Sequence, residues 1–183
     1  MTVVGNCQSS QSIALYYGVF DTDEEQLAFD KLLQFIRAKN DTYDCGFIGL
    51  FTLFHVLSRF CHSDLAYQMI VGKDFPSYGY FIESGETAIP ERIMPDSLGL
   101  GSHNHHFRGD VTRWFIFNIA GLHIIDSCTV KIAPTDIKEI DWAEAYYELP
   151  SGKVSVRWMR KKGKIQVEYK CPDGIKVDVV LPE

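Results

Sequence analysis

The sequence predicts an α+β protein in which a helical part comes first and a β-stranded part follows. Two observations support this order. Apolar residues recur at helical spacing in the first 72 residues, whereas short and often alternating apolar runs, separated by Pro- and Gly-containing turns, fill the chain after Gly121. With 183 residues and 46% hydrophobic side chains, the chain is globular and forms one ordinary domain or two small ones. We expect a helical domain at residues 1–122 and a β domain at 123–183.

Four helices are expected in the first part, at residues 8–17, 23–39, 47–60 and 63–71. The first lacks a clear start signal. Thr22 and Glu25 have the spacing of a capping box for the second helix. The third is apolar on nearly all sides, which is typical of a helix packed between other helices. Ser63 can cap the fourth helix, and Gly72 ends it.

No regular period survives between residues 73 and 108, where Pro and Gly recur frequently. An irregular stretch of roughly 35 residues is uncommon in a compact protein and is usually functional when ordered. Asp110 then has the position of a helix cap, and Gly121 the position of a helix stop. The residues that share a face of this last helix are Val111, Trp114, Phe115 and Ile119.

The part after Gly121 is expected to form antiparallel strands that build a small sheet or sandwich. The predicted strands are residues 130–133, 145–149, 154–158, 165–169 and 175–181. Residues 122–126 are assigned to the boundary between the two parts.

Composition argues against several classes of partner. The net charge of −6 does not favour binding to nucleic acid or to an anionic membrane surface. Apolar runs fall short of the ~20 residues that a membrane-spanning helix needs, and no export signal is visible. Five cysteines without a CxxC pair indicate free thiols in a reducing compartment, so we expect a cytoplasmic protein without a cysteine zinc site.

The first candidate site is the segment 85–92, which carries Glu86, Glu91 and Arg92 among apolar residues. A carboxylate in a partly dry loop can act as a general base. The commoner interpretation is a pair of solvated loop acids, or an ion pair between Glu91 and Arg92.

The second candidate is the segment 102–107, in which His103, Asn104, His105 and His106 could ligate a metal or bind sugar hydroxyls. A metal site is disfavoured because no companion cluster of ligands is visible, and loop histidines more often cap a nearby helix. The aromatic residues near residue 78 could stack on a sugar ring or simply pack.

The third candidate is the basic segment 157–164 around Trp158, which could bind nucleic acid. The favoured alternative is structural. Lys162 and Gly163 form a hairpin turn, and lysines on an exposed strand discourage edge-to-edge pairing.

Taken together and in order, the motifs resemble the end of the catalytic domain of bacterial α-L-rhamnosidases, glycoside hydrolase family 78. The motifs in the helical part are Gln11, residues 45–49, 64–67, 74–80, 85–92 and 104–109, Trp114, and residues 120–121. Residues 152–158 and 171–182 resemble the β-sandwich that closes those enzymes. The resemblance extends from about Cys7 to Pro182.

The resemblance implies part of an (α/α)6 toroid, about five helices of it, followed by a small antiparallel β-sandwich. It also implies inverting cleavage of terminal α-L-rhamnosides by an acid and a base. The general base falls on Glu91, and the histidine that contacts rhamnose falls on His105. We add Asn104, Arg92 and Tyr78 as substrate-binding residues and expect neither a metal nor a cofactor. Pro90 and Ile93 stand where the family usually has tryptophans, so sugar stacking from this loop is not expected.

The family's general acid lies in an earlier part of the barrel. We therefore expect a C-terminal segment that is inactive alone, with a partner chain or a homo-oligomer covering its apolar faces. Two alternatives stay open, a non-catalytic carbohydrate-binding or complex-forming module and a structural remnant without a ligand.

Overall fold

The computed structural model describes residues 1–91 and 101–182. Its contacts divide into two compact units, Met1–Val111 and Thr112–Glu183. The domain boundary at residue 122 stays a prediction. Arg92, one of the expected site residues, and Ile93 lie outside the described residues.

The first unit is helical, as the sequence predicts. Its helices are α1 (Gln8–Tyr16), α2 (Glu25–Arg37), α3 (Phe47–Arg59), α4 (Ser63–Val71) and α5 (Tyr78–Glu83). Helix α5 lies within the stretch for which no regular structure was predicted. It is short and begins at Ser77, whose hydroxyl accepts a hydrogen bond from the Tyr80 N–H at 2.8 Å. Gly79 allows it to approach the preceding helix, because a Cβ there would lie 2.5 Å from the Gly72 carbonyl oxygen.

Helix α1 packs against both α2 and α3. Polar side chains join these helices inside the apolar core. Gln11 donates from Nε2 to the Ala28 carbonyl at 2.9 Å, and the Thr52 hydroxyl donates to Ser12 at 2.9 Å. Because all the donors and acceptors in these bonds are paired, burying them carries little of the penalty of an unsatisfied polar group.

Two predicted helix caps are wrong. Helix α2 begins at Glu25 after Glu24, which makes no side-chain cap, and the Glu25 carboxylate pairs with Arg59 of α3 at 3.1 Å. Ser63 is the first residue of α4, and its hydroxyl donates to Ser58 at 2.9 Å. In both cases the side chain that was expected to cap the helix instead interacts with a residue of α3, Arg59 or Ser58.

A turn of 3₁₀ helix (His106–Asp110) leads into the short helix α6 (Val111–Trp114), which continues as one π-helical turn (Phe115–Ile119). The predicted helix after Asp110 is therefore present, but its regular α-helical part is only four residues long. Gly121 ends it with φ +76°. A Cβ at this residue would lie 2.5 Å from the Cα of Pro134, so only glycine fits here.

The second unit contains two three-stranded sheets. The strands are β1 (Leu122–Asp126), β2 (Thr129–Ile132), β3 (Trp142–Leu149), β4 (Gly152–Lys161), β5 (Lys164–Lys170) and β6 (Lys176–Val179). Sheet A has the order β1-β2-β6 and sheet B the order β3-β4-β5. Strand β1 occupies the segment that was assigned to the domain boundary, and its pairing with β2 was not predicted.

Residues from both sheets contribute to one apolar cluster. Its buried members are Ala120, Leu122, Val130, Ile132, Leu149, Val154 and Val156. All strand pairs are antiparallel except β2 with β6, which is parallel and pairs Val130 with Val177. The expectation of a wholly antiparallel arrangement is wrong for this pair. Strands β2 and β6 are joined by a long connection that contains sheet B and not by a hairpin turn, so parallel pairing is possible.

The predicted turn between β4 and β5 is confirmed. Lys162 and Gly163 both have positive φ, at 52° and 78°, which is the signature of a type I′ turn in a two-residue hairpin. Trp158 in β4 is 1% exposed and donates from Nε1 to the Ile119 carbonyl at 2.7 Å. Its ring is therefore not accessible to a nucleic-acid base.

Within residues 1–91 and 101–182, no helix is both long and apolar enough to cross a membrane.

Candidate active site

Two segments that lie apart in the sequence pair along their backbones and bring the predicted site residues together. The N–H of Glu91 donates to the Ser102 carbonyl at 2.7 Å, and the N–H of His105 donates to the Ile89 carbonyl at 2.8 Å. The Ser102 N–H in turn donates to Oε2 of Glu91 at 3.2 Å. The segment that carries His105 thus orients the Glu91 carboxylate, which is half-buried.

Arg108 fixes the other side of this loop pair. Its Nε donates to the Glu91 carbonyl at 3.0 Å, and its own carbonyl accepts a hydrogen bond from the Tyr78 hydroxyl at 2.8 Å. Arg108 is 3% exposed, and its Nη1 is buried without a hydrogen-bond partner among the described residues. A buried guanidinium that keeps one N–H unused is costly, so this group is an available donor beside Glu91.

His105 lies among aromatic rings. Its ring centroid is 5.5 Å from that of Phe47 and 5.6 Å from that of Phe107, and those two phenyl rings stack on each other at 5.4 Å. The Nε2 atom of His105 is buried, and within the described parts of the chain it has no hydrogen-bond partner. An imidazole nitrogen in this state can bind a hydroxyl of a ligand, as donor or acceptor according to its tautomer.

Tyr78 and Tyr43 lie close together, with ring centroids 6.2 Å apart. Burial raises the pKa of both phenols well above its usual value. Both hydroxyls therefore stay protonated at neutral pH. The Tyr78 hydroxyl donates to the Arg108 carbonyl, so this tyrosine helps to hold the loop.

The remaining predicted residues are distributed as follows. Asn104 is exposed, and its N–H bonds to the Ser102 hydroxyl at 3.2 Å. Glu86 pairs with Nδ1 of His103 at 3.1 Å, whereas Oε2 of Glu91 accepts from the Ser102 amide, so the two acids have different partners. Pro90 is buried. In the part of the chain that the structure describes, no three His, Cys, Asp or Glu side chains are grouped to hold a metal ion.

Sequence reasoning did not single out Arg108 or Phe47 as site residues. Arg108 and Phe47 entered only as members of the longer motifs 104–109 and 45–49, without a role of their own. Neither has a neighbour in the sequence that reveals its role. Arg108 donates to the carbonyl of Glu91, which lies 17 positions earlier, and Phe47 of α3 contacts His105, which lies 58 positions later.

Comparison with known families matches both parts of the chain. Residues 2–119 match the bacterial α-L-rhamnosidase six-hairpin glycosidase domain, and residues 128–183 match the bacterial α-L-rhamnosidase C-terminal domain. Curated relatives include α-L-rhamnosidases from Streptomyces avermitilis, 31% identical over 98% of this chain, and from Alteromonas sp., 27% identical over 96%. This chain covers 18% and 20% of the lengths of those two proteins.

Solved structures agree. The structure of the Streptomyces avermitilis α-L-rhamnosidase complexed with L-rhamnose matches with a TM-score of 0.88 and 31% identity. The match covers 97% of this chain and 18% of the Streptomyces chain. The structure of the α-L-rhamnosidase from Dictyoglumus thermophilum matches with a TM-score of 0.87 and 26% identity. That match covers 94% of this chain and 20% of the Dictyoglumus chain. These matches confirm the predicted fold class, a helical segment of a six-hairpin domain followed by a β domain. The chain belongs to the bacterial α-L-rhamnosidase six-hairpin glycosidase family and corresponds to the C-terminal part of those enzymes.

Proposed function

We propose that this chain supplies one wall of a rhamnoside-binding site, with Glu91 as the general base of an inverting hydrolysis and His105 as a ligand to sugar hydroxyls. The observation that carries the proposal is the backbone pairing of residues 89–91 with residues 102–105. This pairing brings a carboxylate and a buried imidazole nitrogen, which has no partner among the described residues, onto one loop pair.

The chemistry assigned to Glu91 is the removal of a proton from water. In an inverting glycosidase the base activates a water molecule that attacks the anomeric carbon from the face opposite the leaving group, and an acid protonates the departing oxygen. The two carboxyl groups lie about 6.5–9.5 Å apart to admit that water. The Ser102 N–H donates to the Glu91 carboxylate, and Arg108 donates to the Glu91 carbonyl. The base is therefore oriented before substrate binds.

The same proposal assigns the general acid to polypeptide beyond this chain. The chain spans about a fifth of the length of the relatives it matches, so the full activity belongs to an assembly that is larger than these residues. We therefore expect the chain alone to be inactive, and expect a partner chain or a second copy to complete the site.

The proposed location is the cytoplasm, because five free cysteines fit a reducing compartment.

The test uses the Streptomyces avermitilis enzyme as a host. This chain replaces the corresponding segment, and hydrolysis of 4-nitrophenyl α-L-rhamnopyranoside is measured. We expect Glu91→Gln to lower kcat by about 100-fold or more, the usual contribution of a general base. Glu86→Gln is the matched control, because it removes a carboxylate from the same loop, and it should lose far less. Proton NMR of the first-formed sugar should show the β-anomer if cleavage inverts.

The parent chain provides a second measurement that does not depend on successful grafting. Titration of the isolated chain with L-rhamnose should shift the NMR resonances of His105 and of the residues around it. His105→Ala should abolish the shifts of those neighbouring residues. Turnover that survives Glu91→Gln in the chimera would contradict the catalytic assignment. Rhamnose binding that depends on His105, together with such turnover, would instead support a non-catalytic carbohydrate-binding role for this wall.

A further inference from the structure

The outer face of sheet B carries two exposed aromatic side chains from the same strand. Strand β3 places Trp142 and Tyr146 on this face, 60% and 59% exposed, and Met159 lies opposite Trp142 on β4. The alternate residues of β4, Val154, Val156 and Trp158, are buried. Trp142 and Tyr146 are therefore on the side of the sheet away from the core, whereas Tyr147 of the same strand is on the opposite side. Trp and Tyr are enriched at binding surfaces, because each combines a large apolar ring with a polar group.

A hollow of about 250 Å³ lies on the same face. It is lined by Ser155, whose small side chain stands between Tyr146 and Lys170 in the register of the sheet, and by the charged residues of the next row. Sites that enclose drug-sized ligands measure roughly 300–1,000 Å³. A hollow of this smaller size suits a single sugar ring, with neighbouring units lying across the open sheet.

The charges in the hollow are balanced and can bind hydroxyl groups. Glu144 and Glu168 flank Arg157 across three strands, and Lys170 adds a second cation. Within the hollow the two carboxylates balance the two cations, and together they present both acceptors and donors to the hydroxyl groups of a polyol. The flanking aromatic rings add flat surfaces whose electron-rich faces attract the C–H groups of a pyranose ring.

We infer that the outer face of sheet B binds a neutral oligosaccharide, with one sugar unit in the hollow beside Ser155 and others stacked on Trp142 and Tyr146. The two aromatics are four positions apart in β3, which corresponds to about 14 Å along a strand at roughly 3.4 Å per residue. One monosaccharide cannot contact both rings, so the ligand is a chain of several units. Lys153 lies 3.8 Å from the centroid of the Tyr146 ring and orients it by a cation–π contact.

This surface is independent of the proposed rhamnoside site. Its residues belong to the second compact unit, whereas Glu91 and His105 belong to the first. The inference stands if the catalytic assignment fails.

Tryptophan fluorescence tests the inference on the complete chain. The chain has three tryptophans, of which Trp114 and Trp158 are buried, so a ligand on this face changes the emission of Trp142 alone. The probes are mannohexaose, cellohexaose and xylohexaose, with polygalacturonate as the charged comparison and L-rhamnose to report on the other site. We expect a saturable change with at least one neutral hexasaccharide and none with polygalacturonate.

The variants are chosen to separate stacking from folding. Tyr146→Ala should weaken binding about tenfold or more while leaving the Trp142 signal in place, and Trp142→Ala should abolish the binding measured by calorimetry. The control is Tyr147→Ala, which removes an exposed aromatic of the same strand that points to the other side of the sheet. The inference is overturned if no neutral hexasaccharide alters the emission. It is also overturned if Trp142→Ala turns a dimer into a monomer in sedimentation without any glycan response, since the face would then be an interface between copies.

Discussion

Arg108 donates from Nε to the carbonyl oxygen of Glu91 at 3.0 Å, across 17 positions of sequence. The side chain is almost wholly buried, and its own carbonyl is held by the Tyr78 hydroxyl. A chain of hydrogen bonds therefore runs from the start of α5 through Arg108 to the loop that carries the proposed base. Arg108 thus adds a long-range hydrogen bond to the backbone pairing with Ser102 that also holds Glu91.

Replacing Arg108 by Met should release this loop. The substitution keeps much of the apolar stem but leaves the Glu91 carbonyl without its donor, at a cost of roughly 1–3 kcal/mol. Hydrogen exchange should show faster exchange at the amides of Glu91 and His105, which pair the two segments. Arg37→Met, at an exposed position in the last turn of α2, is the control and should leave these amides unchanged. Unchanged protection in the Arg108 variant would show that the arginine does not position the loop.

Trp158→Phe should destabilise the second unit by about 1–3 kcal/mol. The smaller ring cannot donate to the Ile119 carbonyl, which the indole N–H meets at 2.7 Å in a buried environment. Urea unfolding followed by amide exchange in β4 measures the loss. Trp142→Phe, the same substitution at an exposed position of the same sheet, should change stability by less than about 0.5 kcal/mol. Equal losses in the two variants would contradict the role of the hydrogen bond.

Gly121→Ala and Gly163→Ala should separate two costs that usually occur together. Both glycines have nearly the same positive φ, at 76° and 78°, so alanine pays a similar conformational cost of about 1–2 kcal/mol at each. Only at Gly121 would the new Cβ also meet Pro134, whereas the space at Gly163 is open. Thermal unfolding should therefore show the larger loss for Gly121→Ala, by roughly a further 1–3 kcal/mol. A loss at Gly163 as large as that at Gly121 would argue against a steric clash.

Cys7 should react with iodoacetamide well before Cys45. Hydrogen bonds from Ser10 lower the pKa of the exposed Cys7 thiol, and burial raises the pKa of Cys45 to about 12. At pH 8 the thiolate fraction of Cys45 is then on the order of one in ten thousand, and the reactive species is the thiolate. Mass spectrometry from pH 6 to pH 9 should show Cys7 labelled before Cys45. Ser10→Ala should move its profile to higher pH, because the lost hydrogen bond stabilised the thiolate.

The sequence predicts those features that depend on neighbouring residues. The β4–β5 hairpin follows from Lys162 and Gly163 between alternating apolar runs, and α2 and α3 follow from apolar periodicity. Features that depend on distant partners were missed. Glu25 has the spacing of a capping residue but pairs with Arg59 of another helix. Strand β1 was missed because its largely apolar run is only four residues long and directly follows the helix stop at Gly121, and its strand pairing comes from β2.

The candidate site divides in the same way. Glu91 and His105 could be proposed because they belong to motifs that resemble a known family, and the structure places their backbones on paired segments. The contributions of Arg108 and Phe47 could not be proposed, because a buried guanidinium and a helix phenyl ring have no local signal for the loop they support. The substrate-binding role of Asn104, Arg92 and Tyr78 stays a prediction.

The parallel pairing of β6 with β2 has a consequence for the order of folding. Sheet B consists of two hairpins between strands that are neighbours in sequence. Sheet A, in contrast, requires β6, which follows all three strands of sheet B in the sequence. Contacts between distant residues form later, because the entropy of closing the intervening loop must be overcome first. The meander of sheet B should therefore appear early in refolding, and the amides that join β6 to β2 should gain protection last.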